Sequence, residues 1–346
     1  MMFILMRFIV NSKRKRDMNE MNEIIEVMPW PDDSFFTGDI EFPEEALEGA
    51  TLYSCTEAEY HRIKAFSSSY LKNLVDGTPH HAKTPVKASD VMKIGTGFEC
   101  LAEEAFQLSE NEAQVLMGKQ RLHFSSKFKE RCCVKPADLH KGDGARKRAE
   151  DWRARHEGKT ELSMEQLMLC TEMTKSALSN TGWRRHLRGE WQTIILWVEE
   201  GVPMKAMIDH RYKNLGKNIL IDLKTVSQAG HGESELFAKK VGNLKYDLQA
   251  AHYLTGAAKL WGDESIQDWV WLVVEQKHPH GSAVYVASDE ILDTGFAQRE
   301  KAIRNLRGFI LSDNIVSGYP VYTTHDEELL PPRYHQNKYQ LEELDG

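Results

Sequence analysis

The stretch MIDHRYKNLGKNILIDLKT, Met207 to Thr225, decides how the rest of the chain is read. Apolar steps at Ala206 and Ile208, then at Ile219 and Ile221, alternate as in half-buried strands, and Asn214-Leu215-Gly216-Lys217-Asn218 supplies turn residues between them. The pattern predicts a β-hairpin. Two acids, Asp209 and Asp222, fall on its strands, and Lys224 follows two residues after Asp222, on the same sheet face by the period-two rule. Two carboxylates beside an ammonium outline a metal and water site. Mg²⁺ takes oxygen ligands and keeps several waters, so one or two strand carboxylates and a backbone carbonyl suffice to hold it beside a phosphate. Lys224 is placed to orient or deprotonate the attacking water. An Asp and a Lys at this spacing also form plain surface ion pairs. The apolar run Asn218-Ile219-Leu220-Ile221 before Asp222 favours the other reading, because a solvated pair is out of place on a central strand.

The 346 residues can bury a sizeable core, and 41% hydrophobic with 28% charged residues is the composition of a folded globular chain rather than a disordered one. A net charge of −8 counts against nucleic acid only if it is spread evenly. It is not. Residues 119–155 hold twelve Lys or Arg against five acids, a local excess of seven positive charges. Such a run is commonly a solvated surface, but beside an acidic site its natural partner is an anionic polymer. The five cysteines, Cys55, Cys100, Cys132, Cys133 and Cys170, contain no CxxC, which argues against a zinc ribbon or a disulfide framework and for reduced thiols in a cytoplasmic protein.

Residues 1–45 read as a flexible N-terminal arm. The opening MMFILMRFIV is too short to span a bilayer, and its basic cluster Lys13-Arg14-Lys15-Arg16 follows the apolar run, the reverse of a secretory signal. Ser67 or Ser68 is an N-cap for a short helix through Leu74. In VMKIGTGFECLAEEAF, Val91, Ile94, Phe98, Leu101 and Ala105 recur at helical spacing, and Glu99 lies inside the apolar half of that helix. A helix is expected from about Ser163 to Leu178, then the basic run Trp183-Arg184-Arg185-His186-Leu187-Arg188, then a strand from Trp191 to Trp197. YDLQAAHYLTGAAKLWG predicts a helix with Leu248, Ala251, Leu254 and Ala258 on one stripe and Tyr246, Gln249 and Tyr253 on another, which either completes an amphipathic helix or points at a ligand. Strands over 269–275 and 282–286 and a helix from Ile291 to about Leu311 close the pattern, and residues 323–346 read as an acidic tail.

GTGFECLAEEAF, GEWQTIILW, AMIDHRY, IDLKTV, YDLQAAHY and WLVVEQKHP follow one another as they do in RecE-type exonucleases (exonuclease VIII) of the PD-(D/E)xK nuclease superfamily, and EYHRIKAFSSSYLKNL resembles that family's entry segment. The resemblance runs from about Thr56 to Tyr319. It implies an α/β restriction-endonuclease-like core with a central mixed β-sheet flanked by helices, over residues 46–322 with a basic helical insertion at about 119–180. It also implies Mg²⁺-dependent hydrolysis of double-stranded DNA from its ends, 5′ to 3′, with Mn²⁺ able to substitute. The 3′ single strands would go to a single-strand annealing protein. The enzyme would be a homo-oligomeric ring without membrane attachment, in the cytoplasm of a bacterial host cell and phage-encoded.

Matched residue by residue, the resemblance makes Asp209 and Asp222 the metal-binding acids, Leu223 a carbonyl ligand and Lys224 the lysine of the signature. Gln249 and Tyr253 match the family's QxxxY helix. Glu99 stands where RecE-type enzymes commonly have histidine; it resembles the lambda-exonuclease branch there and stays a competent Mg²⁺ ligand. Tyr246, Gln249, Tyr253, Arg184, Arg185 and Arg188 are the expected DNA contacts. Two other readings stay open: a structure-selective endonuclease of the same superfamily, and a non-catalytic DNA-binding module.

Overall fold

The computed structural model describes residues 29–84, 87–106, 126–142, 144–186 and 189–311. The expected acidic tail, Arg188, the basic positions 119–125 and residues 1–28 of the expected arm lie outside them. In chain order the elements are β1 (Thr51–Tyr53), α1 (Glu57–Arg62), α2 (Ser68–Leu74), α3 (Pro79–Lys83), α4 (Asp90–Phe106), α5 (Ser126–Arg131), β2 (Cys132–Val134), α6 (Ala145–Arg155), β3 (Thr160–Leu162), α7 (Met164–Ser179) and α8 (Thr181–Arg185). They continue with β4 (Glu190–Glu199), β5 (Val202–Asn214), β6 (Lys217–Val226), α9 (Ser234–Asn243), α10 (Tyr246–Trp261), β7 (Ile266–Glu275), β8 (Ser282–Val286) and α11 (Asp289–Leu311).

The predicted hairpin is β5 and β6. Its turn is tighter than expected, because Asn214 pairs with Lys217 and leaves only Leu215 and Gly216 between the strands. Both have positive φ, 49° and 83°, the geometry that matches a two-residue turn to the right-handed strand twist. Asn218 is a buried ladder residue and not part of the turn: its carbonyl oxygen accepts from Arg211 at 2.7 Å and its amide donates to the Ser265 carbonyl at 3.2 Å.

The hairpin lies at the centre of a six-stranded sheet in the order β1-β4-β5-β6-β7-β8. β6 and β7 are parallel and the other neighbours antiparallel, so the sheet is mixed, with α9 and α10 in the crossover. One face packs Leu220, Trp269 and Trp271 against α2, α10 and α11 through Leu71, Leu248, Ala257 and Leu306. On the other, Ile221, Leu223, Val270 and Leu272 meet α4 and α7 through Phe98, Leu101, Cys170 and Met173. Helix α10 lies so close to β4 that a Cβ on Gly256 would come within 2.6 Å of the Trp197 ring. It is buried nearly all round, in keeping with a helix enclosed by a sheet and a second helix rather than one with a free polar stripe.

Three expectations need correcting. The arm does not extend to residue 45, because Phe35, Phe36, Phe42 and Ala46 are buried, the first two in the main core, where apolar burial favours order. The basic insertion does not reach residue 180, because α7 is a full layer of the core. Within the stretch, a short parallel pair, β2 with β3, joins α5 and α6 to α4, which helical periodicity alone does not foresee.

Candidate active site

Strands β5 and β6 pair only from the turn to His210↔Ile221. Beyond that point β5 stays with β4 and β6 with β7, so the sheet forks. Gln192, opposite the fork on β4, has φ of 52°, and the ladder skips its pairing with Asp209. In the gap the Asp209 carboxylate replaces the missing backbone partner, accepting from the Leu223 N–H at 2.8 Å. Because the N–H and C=O of a strand residue point to the same side, the Leu223 carbonyl also faces the β5 side.

Asp222 and Lys224 share a face, as expected, and Lys224 Nζ donates to Asp222 Oδ1 at 2.6 Å. The same Nζ is 2.5 Å from Oδ2 without the alignment of a hydrogen bond. Gln249 Nε2, from α10, donates to Oδ1 at 3.0 Å, and Lys72 Nζ, from α2, donates to Gln249 Oε1 at 2.9 Å. The Tyr246 ring lies beneath both ammoniums, 4.6 Å from Lys224 and 5.1 Å from Lys72. Glu99 arrives from α4, on the opposite layer. Arg131 Nη1 donates to its carboxylate at 3.1 Å while Arg131 Nε donates to Glu57 at 2.7 Å, and Gln192 lies beside the same pair.

The electrostatics follow from this crowding. Burial and then the Asp222 and Glu99 charges push the Asp209 carboxyl well above the usual carboxylate range. Burial alone would push the Lys224 ammonium down, but the charges of Asp222 and Asp209 more than offset it and hold Lys224 above its ordinary value. Lys72, with burial and Lys224 both acting against its charge, falls to about 7. Lys224 is therefore a cation at neutral pH and suits orienting a water rather than deprotonating one.

Carboxylates and one carbonyl make a donor set for a hard divalent cation. Asp209 carries the matching imprint, an excess of buried negative charge that a cation would relieve. Among the described residues no three His, Cys, Asp or Glu side chains converge tightly enough to hold an ion as they stand. Each acid is occupied instead: Asp222 by Lys224 and Gln249, Asp209 by the Leu223 N–H, and Glu99 by Arg131. The residues fit a metal in chemistry, with Glu99 required to leave Arg131 before it can serve as a ligand.

Residues 80–310 match the family model of the PDDEXK-like domain of unknown function, DUF3799. The chain belongs to that PDDEXK-like family. No curated protein is significantly similar to it. Among solved structures, it is similar to a candidate exonuclease from Eubacterium rectale, with a TM-score of 0.50 and 13% identity over 83% of this chain and 98% of that one. It also matches a protein named SSO0001, with a TM-score of 0.22 and 14% identity over 68% and 84% of the two chains. The E. rectale structure supports the fold. Family membership and the fork together make this PDDEXK-like chain a nuclease in type.

Of the residues expected at the site, the family fold brings Asp209, Asp222, Leu223, Lys224, Gln249 and Tyr246 to one place, with Glu99 near enough to act on Asp209. Gln249 and Tyr246 face the carboxylate and lysine and not an open DNA surface. Tyr253 is buried in the core with its ring against Trp269, and so is no surface for a duplex. Arg184 and Arg185 lie on α8, which Trp183 pins to β8 by donating to the Ala283 carbonyl at 2.9 Å. Sequence reasoning missed Lys72, a lysine between Leu71 and Leu74 on a short helix, where no local pattern marks it. It also counted Arg131 as part of a DNA grip, whereas the structure sets it between Glu57 and Glu99. No described helix is long and apolar enough to cross a membrane.

Proposed function

We propose that this chain is a Mg²⁺-dependent double-stranded DNA exonuclease that hydrolyses phosphodiesters from a duplex end, 5′ to 3′. The observation that carries the reading is the forked sheet, which sets Asp209 against the backbone of Leu223 with Asp222 and Lys224 on either side. A phosphodiester is anionic and repels hydroxide, so its hydrolysis needs charge neutralisation, a positioned water and stabilisation of the leaving oxygen. Bound by Asp209, Asp222, the Leu223 carbonyl and Glu99, Mg²⁺ or Mn²⁺ would supply the first of these and lower the water's proton affinity. Lys224, held as a cation, orients the water toward phosphorus and stabilises charge on the phosphoryl oxygens. Gln249 and Lys224 fix the rotation of the Asp222 carboxylate.

Duplex binding falls to the basic region. Lys129, Lys141, Arg146, Lys147, Arg148, Arg153 and Arg155 are exposed, and Arg131, at the end of α5, ties this region to Glu99. Such contacts grip phosphates and read no bases, which suits an enzyme that digests any sequence. Arg185, exposed on α8, extends the same charge. Delivery of 3′ single strands to an annealing protein in recombination, and assembly of several copies into a ring, belong to the same proposal.

The test is digestion of 5′- and 3′-labelled linear duplex with Mg²⁺ or with chelator, alongside a covalently closed circle. Mononucleotides from the 5′ end of linear duplex only, lost with chelator, are expected. Cleavage of the closed circle at the same rate would show an endonuclease, and intact DNA throughout would leave a binding module.

A further inference from the structure

Lys72 is a half-buried ammonium outside the metal, water and DNA roles assigned above. Among the described residues it has no carboxylate within ion-pair distance. Its hydrogen bond goes to Gln249 Oε1 at 2.9 Å, and the Tyr246 ring lies 5.1 Å from its Nζ. Burial and the Lys224 charge disfavour its charged form and lower its proton affinity to about 7, against the weaker pull of Asp222 and Asp247. Charged or neutral, the amine still donates to Oε1.

A glutamine amide has an accepting end and a donating end of nearly the same shape. Had Gln249 turned its oxygen toward Asp222, two acceptors would face each other. With Oε1 claimed by Lys72, Nε2 points at Asp222 Oδ1, 3.0 Å away, where Lys224 also donates. Both aligned hydrogen bonds act on Oδ1; the Lys224 ammonium also lies 2.5 Å from Oδ2 and so touches both oxygens, whereas Gln249 bonds Oδ1 alone and fixes which way the carboxylate is turned. We propose that Lys72 is a positioning residue for hydrolysis: it locks the Gln249 amide and through it the rotation of the Asp222 carboxylate. This rests on the nuclease reading above.

The experiment is a double-mutant cycle on linear duplex with Mg²⁺, using Lys72→Met, Lys72→Arg, Gln249→Met and the Lys72→Met/Gln249→Met pair, with kcat, KM for DNA ends and Tm measured for each. For Lys72→Met a kcat loss of roughly 10- to 100-fold is expected, the size of one lost charge-assisted hydrogen bond, with KM within about twofold. Lys72→Arg, still donor only, recovers most of the rate. In the Gln249→Met background, Lys72→Met costs nothing further, because the two act in series. Should Lys72→Met fail to melt cooperatively, Lys72→Gln, whose own amide can turn either way, replaces it with the same expected drop. Wild-type kcat in the Lys72 variant, multiplicative losses in the pair, or an effect on KM alone would overturn the inference. A wild-type chain that leaves linear duplex intact would instead refute the nuclease reading itself.

Discussion

Asp222 and Glu99 reach the same fork from opposite layers of the fold, and different neighbours hold them. Asp222 is gripped by a lysine of its own strand and by a glutamine on the crossover helix, both rigid parts of the central core. Glu99 is gripped by Arg131, which ends a short helix leading into the small β2/β3 sheet and also holds Glu57. The Asp222 corner is pre-set by the sheet. The Glu99 corner depends on how a peripheral basic region is docked, so under the proposed function it is where DNA binding and metal binding would influence each other.

Asp222→Asn tests the rigid corner and carries the largest expected effect. It keeps the shape but removes a ligand charge, and activity on end-labelled duplex should fall by at least about 10³-fold while duplex binding, read by fluorescence anisotropy, persists. Full activity would remove Asp222 from the site. Lys224→Ala should cost on the order of 10²-fold in rate with metal affinity by calorimetry little changed. Collapse of that affinity, with the rate recovered at saturating Mg²⁺, would make Lys224 a structural partner of Asp222 only.

The Glu99 corner should respond more gently. Glu99→Gln is expected to raise the Mg²⁺ needed for half-maximal rate by about tenfold, and Glu99→His to recover part of the loss, better with Mn²⁺, since imidazole is the softer ligand. Coincident metal titrations for the three proteins would leave Asp209, Asp222 and Lys224 to carry the site. Arg131→Met frees Glu99 from its guanidinium and should lower the Mg²⁺ midpoint about two- to fivefold, the scale of a partly exposed ion pair. An unchanged midpoint would mean that Arg131 does not compete for Glu99.

The smallest effect, a shift in melting temperature, sharpens the same contrast. The native Asp209 carboxyl has a proton affinity raised well above that of the unfolded chain by burial and by Asp222 and Glu99. The native state thus binds more protons than the unfolded state between those two values, and stability falls as pH rises through that window. At neutral pH, above the unfolded-chain value, Asp209 therefore costs stability. Asp209→Asn, without added metal, should melt a few degrees higher, roughly 2–5 °C, at pH 7–8 and show no gain in acid below the unfolded-chain value, where the carboxyl is protonated in both states. An equal gain at every pH would exclude the electrostatic cause.

Much of the core was legible because its signals are local. Alternation between Ala206 and Ile221, the Ser67 cap that accepts from the Tyr70 N–H, and the helical spacing of Ile94, Phe98 and Leu101 are each set within a few residues and survive folding unchanged. Tyr253 misled because a tyrosine on a polar stripe looks the same whether the stripe meets solvent or Trp269. Phe35 and Phe36 were hidden in a segment whose proline and acid content suggests a loose arm, and only packing against the sheet face orders them.

The chain order of Asp209, Asp222 and Lys224, the two-residue spacing of Asp222 and Lys224 and the hairpin that carries all three are determined by the sequence alone, since strand periodicity and turn chemistry act within that stretch. Where the hairpin stops pairing was decided by tertiary structure. β5 follows β4 and β6 follows β7 past His210 and Ile221, and competition between two neighbours for each strand opens the fork. Lys72 and Gln249, 177 residues apart, and Glu99 and Arg131, 32 apart, meet there for the same reason. Helices from both layers must cover a sheet split at its centre, and their polar side chains have nowhere else to place their hydrogen bonds.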